Sequence, residues 1–193
     1  MKPDPFTDAL VQLLHCYYPS GLNNYDSGYK ESEEGQRLTR LMLAHEQRSP
    51  SWRVFTWRVV QLFPNSYIWD TTVPLNESCH SVRVALPWSM PDQPRYDCVV
   101  ALLSHIAQVY ALYASHSDRS GPEVKSWVRL PPFPAEYQAH EAKLAELIEA
   151  TFGFTRLSTD TLLTPVPDLV PRSANFGLGE ARLIDCLFTW DRW

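Results

Sequence analysis

SHSDRSGPE, residues 115–123, obliges the chain to reverse direction. Asp and Ser favour turns through side-chain bonds to nearby backbone, and Gly-Pro supplies conformations that neither a helix nor a central strand accepts. VKSWVRL follows at once, alternating as a strand returning from a turn does. Further upstream Val82, Val84 and Leu86 alternate with Ser81, Arg83 and Ala85, the pattern of a half-buried strand, which Pro87 ends. Between these landmarks lies YDCVVALLSHIAQVYALYASH, residues 96–116. Val99, Leu102, Ile106, Val109 and Tyr113 fit a helix, yet the same residues read as two aromatic-rich strands. The flanking strand signals favour the second reading and an antiparallel sheet.

Helices are expected on either side of this region. Asp4-Pro5 is an N-cap followed by proline at the first helical position, with Phe6, Leu10, Leu13, Leu14 and Tyr17 at helical spacing before Pro19. A second helix is expected over about Glu31–Arg48, with Leu38, Leu41, Met42 and His45 on one stripe. Ser49-Pro50 restarts a third, carrying Trp52, Phe55, Val59 and Leu62, although its β-branched residues also suit a strand. PAEYQAHEAKLAELIEATFG gives the clearest helix: Tyr137, Leu144, Leu147, Ile148, Thr151 and Phe152 share a face, and Gly153 is placed as a C-cap. The 193 residues contain no internal repeat and no long linker. The expected fold is one α+β domain, with helices packed on one face of a mostly antiparallel sheet. Its parts are a helical region of about 1–63, a sheet of about 66–130, and a helix with a C-terminal segment over 135–193.

Charge narrows the partners. The formal net charge of −5 argues against direct nucleic-acid binding. Residues 1–35 hold six acids against two lysines, net −4, whereas residues 36–63 hold five arginines against one glutamate, net +4. These flanks either pair internally or serve a partner. The N-terminal sequence lacks the basic start and unbroken apolar run of a signal peptide, and no run approaches the ~18 apolar residues of a membrane span. Cys16, Cys79, Cys98 and Cys186 are scattered without a CxxC, as reduced cysteines in a cytosol are. A cytoplasmic protein without membrane contact is expected.

No motif for a catalytic centre occurs: GxGxxG, a P-loop, GxSxG and HExxH are all absent from the sequence. His45-Glu46 and His140-Glu141 lie on expected helices without a second histidine four residues on, and read as surface or edge-of-core residues. Cys79, His80, Cys98 and His105 offer four zinc-type ligands, but their spacing fits no knuckle or ribbon and a strand would point Cys79 and His80 apart. No metal and no cofactor is therefore expected, and no catalytic residue. The enzyme alternative needs a site assembled from distant residues such as Asp168, Asp185, His105 and His116.

The stretch from Tyr17 to Gly35, YYPSGLNNYDSGYKESEEG, is more informative. Tyr supplies rigid amphipathic contact area, Ser, Gly and Asn supply adaptable hydrogen bonds, and glutamates attract a basic partner. Tyr25, Asp26, Tyr29, Glu31, Glu33 and Glu34 are the candidate partner-binding residues. The bland reading is a solvated loop with one or two tyrosines packed on adjacent helices.

FGFTRLSTDTLLTPVPDL followed by LGEARLIDCLFTWDRW, about the last third of the chain, resembles the C-terminal part of small cytoplasmic immunity proteins from bacterial polymorphic-toxin systems. The resemblance rests on a helix ending in Phe-Gly, then Arg-Leu, a Val-Pro-Asp turn and a Leu-Gly…Ile-Asp-Cys-Leu-Phe close. It implies a single α+β domain that binds a cognate toxin, sometimes a nuclease, and blocks it. It implies no particular contact residue. The resulting expectation is a non-enzymatic immunity protein whose partner is a basic toxin; the alternatives are an enzyme with a motif-free site and a protein-binding scaffold or regulatory domain.

Overall fold

A computed structural model of the chain describes residues 4–45, 49–75, 77–90, 92–172 and 175–188. The first helix, α1 (Pro5–Leu14), starts as its sequence directs: the Asp4 carboxylate accepts from the Phe6 and Thr7 backbone N–H groups. It buries Leu10 and Leu14. The helix expected from Glu31 is two helices, α2 (Ser27–Glu31) and α3 (Glu33–Ala44). Ser32 divides them in an extended conformation, accepting from Gly35 N–H and donating to the Tyr29 carbonyl. That cap ends one helix and begins the next. The far end of the expected helix, 46–48, lies outside the described residues. Next, α4 (Pro50–Leu62) is helical and not a strand, with Ser49 Oγ accepting from Trp52 N–H.

The sheet runs β1 (Ile68–Asp70), β2 (Cys79–Ala85), β3 (Arg95–Ser104), β4 (Val109–Asp118) and β5 (Lys125–Arg129), each antiparallel to the next. Residues 96–116 are thus a strand pair. Their alternative helical reading fails because Cys98 to Leu103 are buried without a break, and a surface helix would bury only one stripe of them. The reversal occurs at 105–108, where Ser104 Oγ accepts from the Ile106 and Ala107 N–H groups. The expected reversal between β4 and β5 falls on residues 119–124, while Ser115 to Asp118 of SHSDRSGPE extend β4 and pair with β5.

After the sheet come α5 (Ala135–Phe152), β6 (Thr155–Arg156), α6 (Thr159–Leu162) and α7 (Leu183–Leu187). Gly153 ends α5 in the left-handed conformation at φ 67°, where glycine has no side chain to clash. On α5, Tyr137, Leu144 and Ile148 are fully buried, while Leu147 and Phe152, expected beside them, are only partly so. The short strand β6 pairs in parallel with the first residues of β4, on the edge that β5 occupies further along.

The α+β class with an antiparallel sheet holds, but the helices cover both faces of the sheet instead of one. Val99, Ala101, Leu103, Tyr110, Leu112 and Ala114 face a core built with α4 and α5. Val100, Leu102, Ala111 and Tyr113, the alternate residues, face a second core built with α1, α2, α3 and α7. Period-two geometry sends neighbours to opposite sides, so strands that are apolar at every position need cover twice. No helix of the described residues is long and apolar enough to cross a membrane.

The C-terminal segment contains little regular structure and is held through its carbonyls. Tyr18 Oη and Ser78 Oγ both donate to Cys186 O, at 2.6 and 3.1 Å; Cys79 Sγ donates to Phe188 O, and Tyr29 Oη to Val170 O at 2.6 Å.

Candidate functional site

The Tyr17–Gly35 stretch divides by burial. Tyr18 is buried, and Tyr29 is 1% exposed with its hydroxyl on the C-terminal segment. Tyr29 therefore leaves the set of expected partner contacts: it is a core residue, pointed inward by the single turn of α2. Tyr25 is 72% exposed. Asp26, Glu31 and Glu33 are also exposed, and Glu34 partly so. Asp26 accepts from Asn23 N–H and orders the turn before α2. Glu33 and Glu34 occupy the first turn of α3, where the helix dipole favours negative charge. Arg37, across from them in sequence, donates to Cys16 O. Among the described residues the ion pairs are His15–Asp168, Arg95–Asp97, His116–Asp97 and Arg156–Glu141. None joins the acidic flank to the basic one, so the described ion pairs give no support to internal neutralisation.

A different cluster joins two of the ligand-type residues singled out in the sequence, His80 and His105, to a third that was not grouped with them, His45. His80 on β2, His105 in the β3–β4 reversal and His45 at the end of α3 place ligand-capable atoms within 4.8 Å of one another. The His45 and His105 rings stack in parallel at 4.1 Å, and His80 meets His105 edge-on at 4.5 Å. On its other side His80 stacks on Trp52 at 4.4 Å, and Trp52 Nε1 donates to Asp70. Both ring nitrogens of His105 are sealed from solvent and meet no hydrogen-bond partner. Burial first, then the neighbouring imidazoles of His80 and His45, pushes the His105 ring down to about 2. Burial also lowers His45. The rings of His105 and His45 are neutral at pH 7 and keep a lone pair.

Of the four ligand-type residues considered from sequence, His80 and His105 meet but the two cysteines do not join them. Cys79 belongs to one core, with its thiol on Phe188 O, while His80 packs on Trp52 of the other. Cys98 pairs with Ala85, whereas His80 pairs with Leu103, five residues along β3, or roughly 16 Å at strand rise. The distant catalytic set separates too. Asp168 accepts from Ser20 Oγ at 2.6 Å and from His15 Nε2 at 2.9 Å. Asp185 accepts from Arg182 N–H at the start of α7, and His116 donates to Asp97. His105 sits in the histidine cluster.

A cleft of about 620 Å³ opens between β4–β5 and the C-terminal segment, where Arg129, Arg182, Glu180 and Asp185 line its wall with Tyr113 and Phe176. On the opposite side of the fold, Val54, Trp57 and Val60 form an exposed stripe on α4, behind the buried Trp52, Phe55 and Val59.

Together the fold and these sites define a single-sheet α+β protein whose most exposed tyrosine is flanked by carboxylates. Compared with known proteins, the chain matches no family model, no curated protein and no solved structure.

Proposed function

We propose that this chain is a non-enzymatic immunity protein that binds a basic cognate toxin and blocks its active site or substrate access, in the cytoplasm. The observation that carries this reading is the surface formed by Tyr25, Asp26, Glu31, Glu33 and Glu34. Tyr18 and Tyr29, buried on either side of Tyr25, tether the segment to the core. A preordered contact loses less entropy on binding than a free loop. Inhibition requires affinity and steric cover, and the acids can occupy ground where a nuclease would hold phosphate. The C-terminal resemblance to immunity proteins supports the same reading.

The test starts with the protein that co-purifies with this chain from its native cell. Expressed alone it should arrest growth, and co-expression of this chain should restore it. Tyr25→Ala should weaken the complex by about 1–3 kcal/mol, mainly through faster dissociation. Reversal of Glu33 and Glu34 to Lys should slow association, less so at high salt. An affinity indifferent to all of these substitutions would move the interface elsewhere, with Trp57→Ala on α4 the next variant to measure. A harmless co-purifying protein would instead favour the scaffold reading. Turnover lost on substitution of Arg129 or Arg182 would favour an enzyme working in the cleft.

A further inference from the structure

We propose that His45, His80 and His105 form a binding site for a late first-row divalent cation, with zinc as its natural occupant. The inference is independent of the immunity reading. It departs from the expectation of no metal, which weighed His80 and His105 with Cys79 and Cys98 and left out His45.

Three features converge. Imidazole is a preferred ligand for zinc, copper and nickel, and three of the six histidines meet at one point from three separate elements. Their nitrogens already lie within 4.8 Å of each other; ligands on a tetrahedral zinc, bound at about 2.0–2.1 Å, are roughly 3.4 Å apart. Closing that difference takes side-chain rotation, in which His45 turns out of its parallel stack on His105. Finally, His105 holds both ring nitrogens buried without a hydrogen-bond partner. Such a group is destabilising in a metal-free protein, and a cation would engage its unused lone pair.

Three protein ligands leave the fourth tetrahedral position for water or for a side chain of a partner. The cation would fasten the end of α3 to β2 and to the β3–β4 reversal, so its effect is on the packing of α3 against the sheet.

The test is titration of the full chain, stripped of metal with a chelator, with Zn²⁺ in competition with a chromophoric chelator. One equivalent should bind at micromolar concentration or tighter, with a melting temperature raised by several degrees. Co²⁺ should give the intense visible bands of a four-coordinate ion. Tryptophan emission should change, because His80 lies on Trp52. His105→Asn and His45→Asn should each weaken binding at least about tenfold and abolish the Co²⁺ bands, while His140→Asn should leave both intact. Absence of saturable binding at 1:1 overturns the proposal. So does binding that survives His105→Asn or His45→Asn with its affinity and Co²⁺ spectrum unchanged. Should His105→Asn not fold, His45→Asn decides, since His45 stands outside the sheet at the end of α3.

Discussion

Tyr29 shows how much one hydroxyl can decide. Its ring fills the core under α2 and its Oη donates to Val170 O, so Tyr29→Phe leaves a buried carbonyl without that donor. A loss of stability of about 1–2 kcal/mol is expected by urea titration, whereas Tyr29→Ala, which also opens a cavity, should cost about 3–5 kcal/mol. Asp97 is a second such residue, 1% exposed and accepting from Tyr137 Oη at 2.6 Å, His116 Nδ1 at 2.7 Å and Arg95 Nε at 2.9 Å. Burial alone would raise its carboxyl; the bonds from Tyr137, His116 and Arg95 outweigh burial and hold it below the ordinary value. A carboxyl lowered in the folded state stabilises above the unfolded value of about 3.9, and that stabilisation is lost as pH falls through the folded value. Tyr137→Phe should therefore lower stability by about 1–3 kcal/mol at pH 7. Chemical denaturation at a series of pH values should show the gap to the parent narrowing below pH ~4.

At the scale of elements, the junction of α2 and α3 has the least room. A Cβ on Gly35 would stand 2.1 Å from the Tyr29 carbonyl oxygen, the same oxygen that Ser32 caps. Gly35→Ala must part the two helices, and a loss of about 1–3 kcal/mol or more is expected in thermal unfolding. On α5, Leu144→Ala should cost about 2–5 kcal/mol, and Leu147→Ala less, because Leu147 is only partly covered. These elements differ in how openly the sequence announces them. The α5 helix repeats apolar residues on one face and ends at glycine, so period and cap agree. Residues 96–116 hide their period because both faces are apolar, and only the neighbouring turn tips the balance. The Ser32 break was legible in principle, since Ser before two glutamates is a helix-start signal; the longer apolar stripe of α3 masked it. The histidine cluster was legible only in part: His80 and His105 stood out as ligand types, but only tertiary packing brings His45 to them. Of the acidic surface, the composition of the stretch gave Tyr25, Asp26 and the glutamates, but not which tyrosine points inward.

For the whole molecule, the two cores share β2, β3 and β4 as their common wall. Neither core can lose its strands without uncovering the other, so unfolding should be a single transition. Tryptophan fluorescence, to which the buried Trp52 of α4 contributes, and far-UV circular dichroism should give the same midpoint in urea. Separate midpoints would mean that the layer of α1, α2 and α3 melts on its own.

The clasp between the two ends of the fold also sets a schedule for synthesis. Tyr18 waits for Cys186, 168 residues later, before its hydroxyl has a partner. At about 5–20 residues per second a ribosome takes on the order of 10–30 s to cover that distance. Throughout that interval Leu10, Leu14 and Tyr18 have no C-terminal cover, and the nascent chain presents them to whatever holdase stands at the ribosome. Completion of this layer therefore waits for the C-terminal segment, however early its helices emerge.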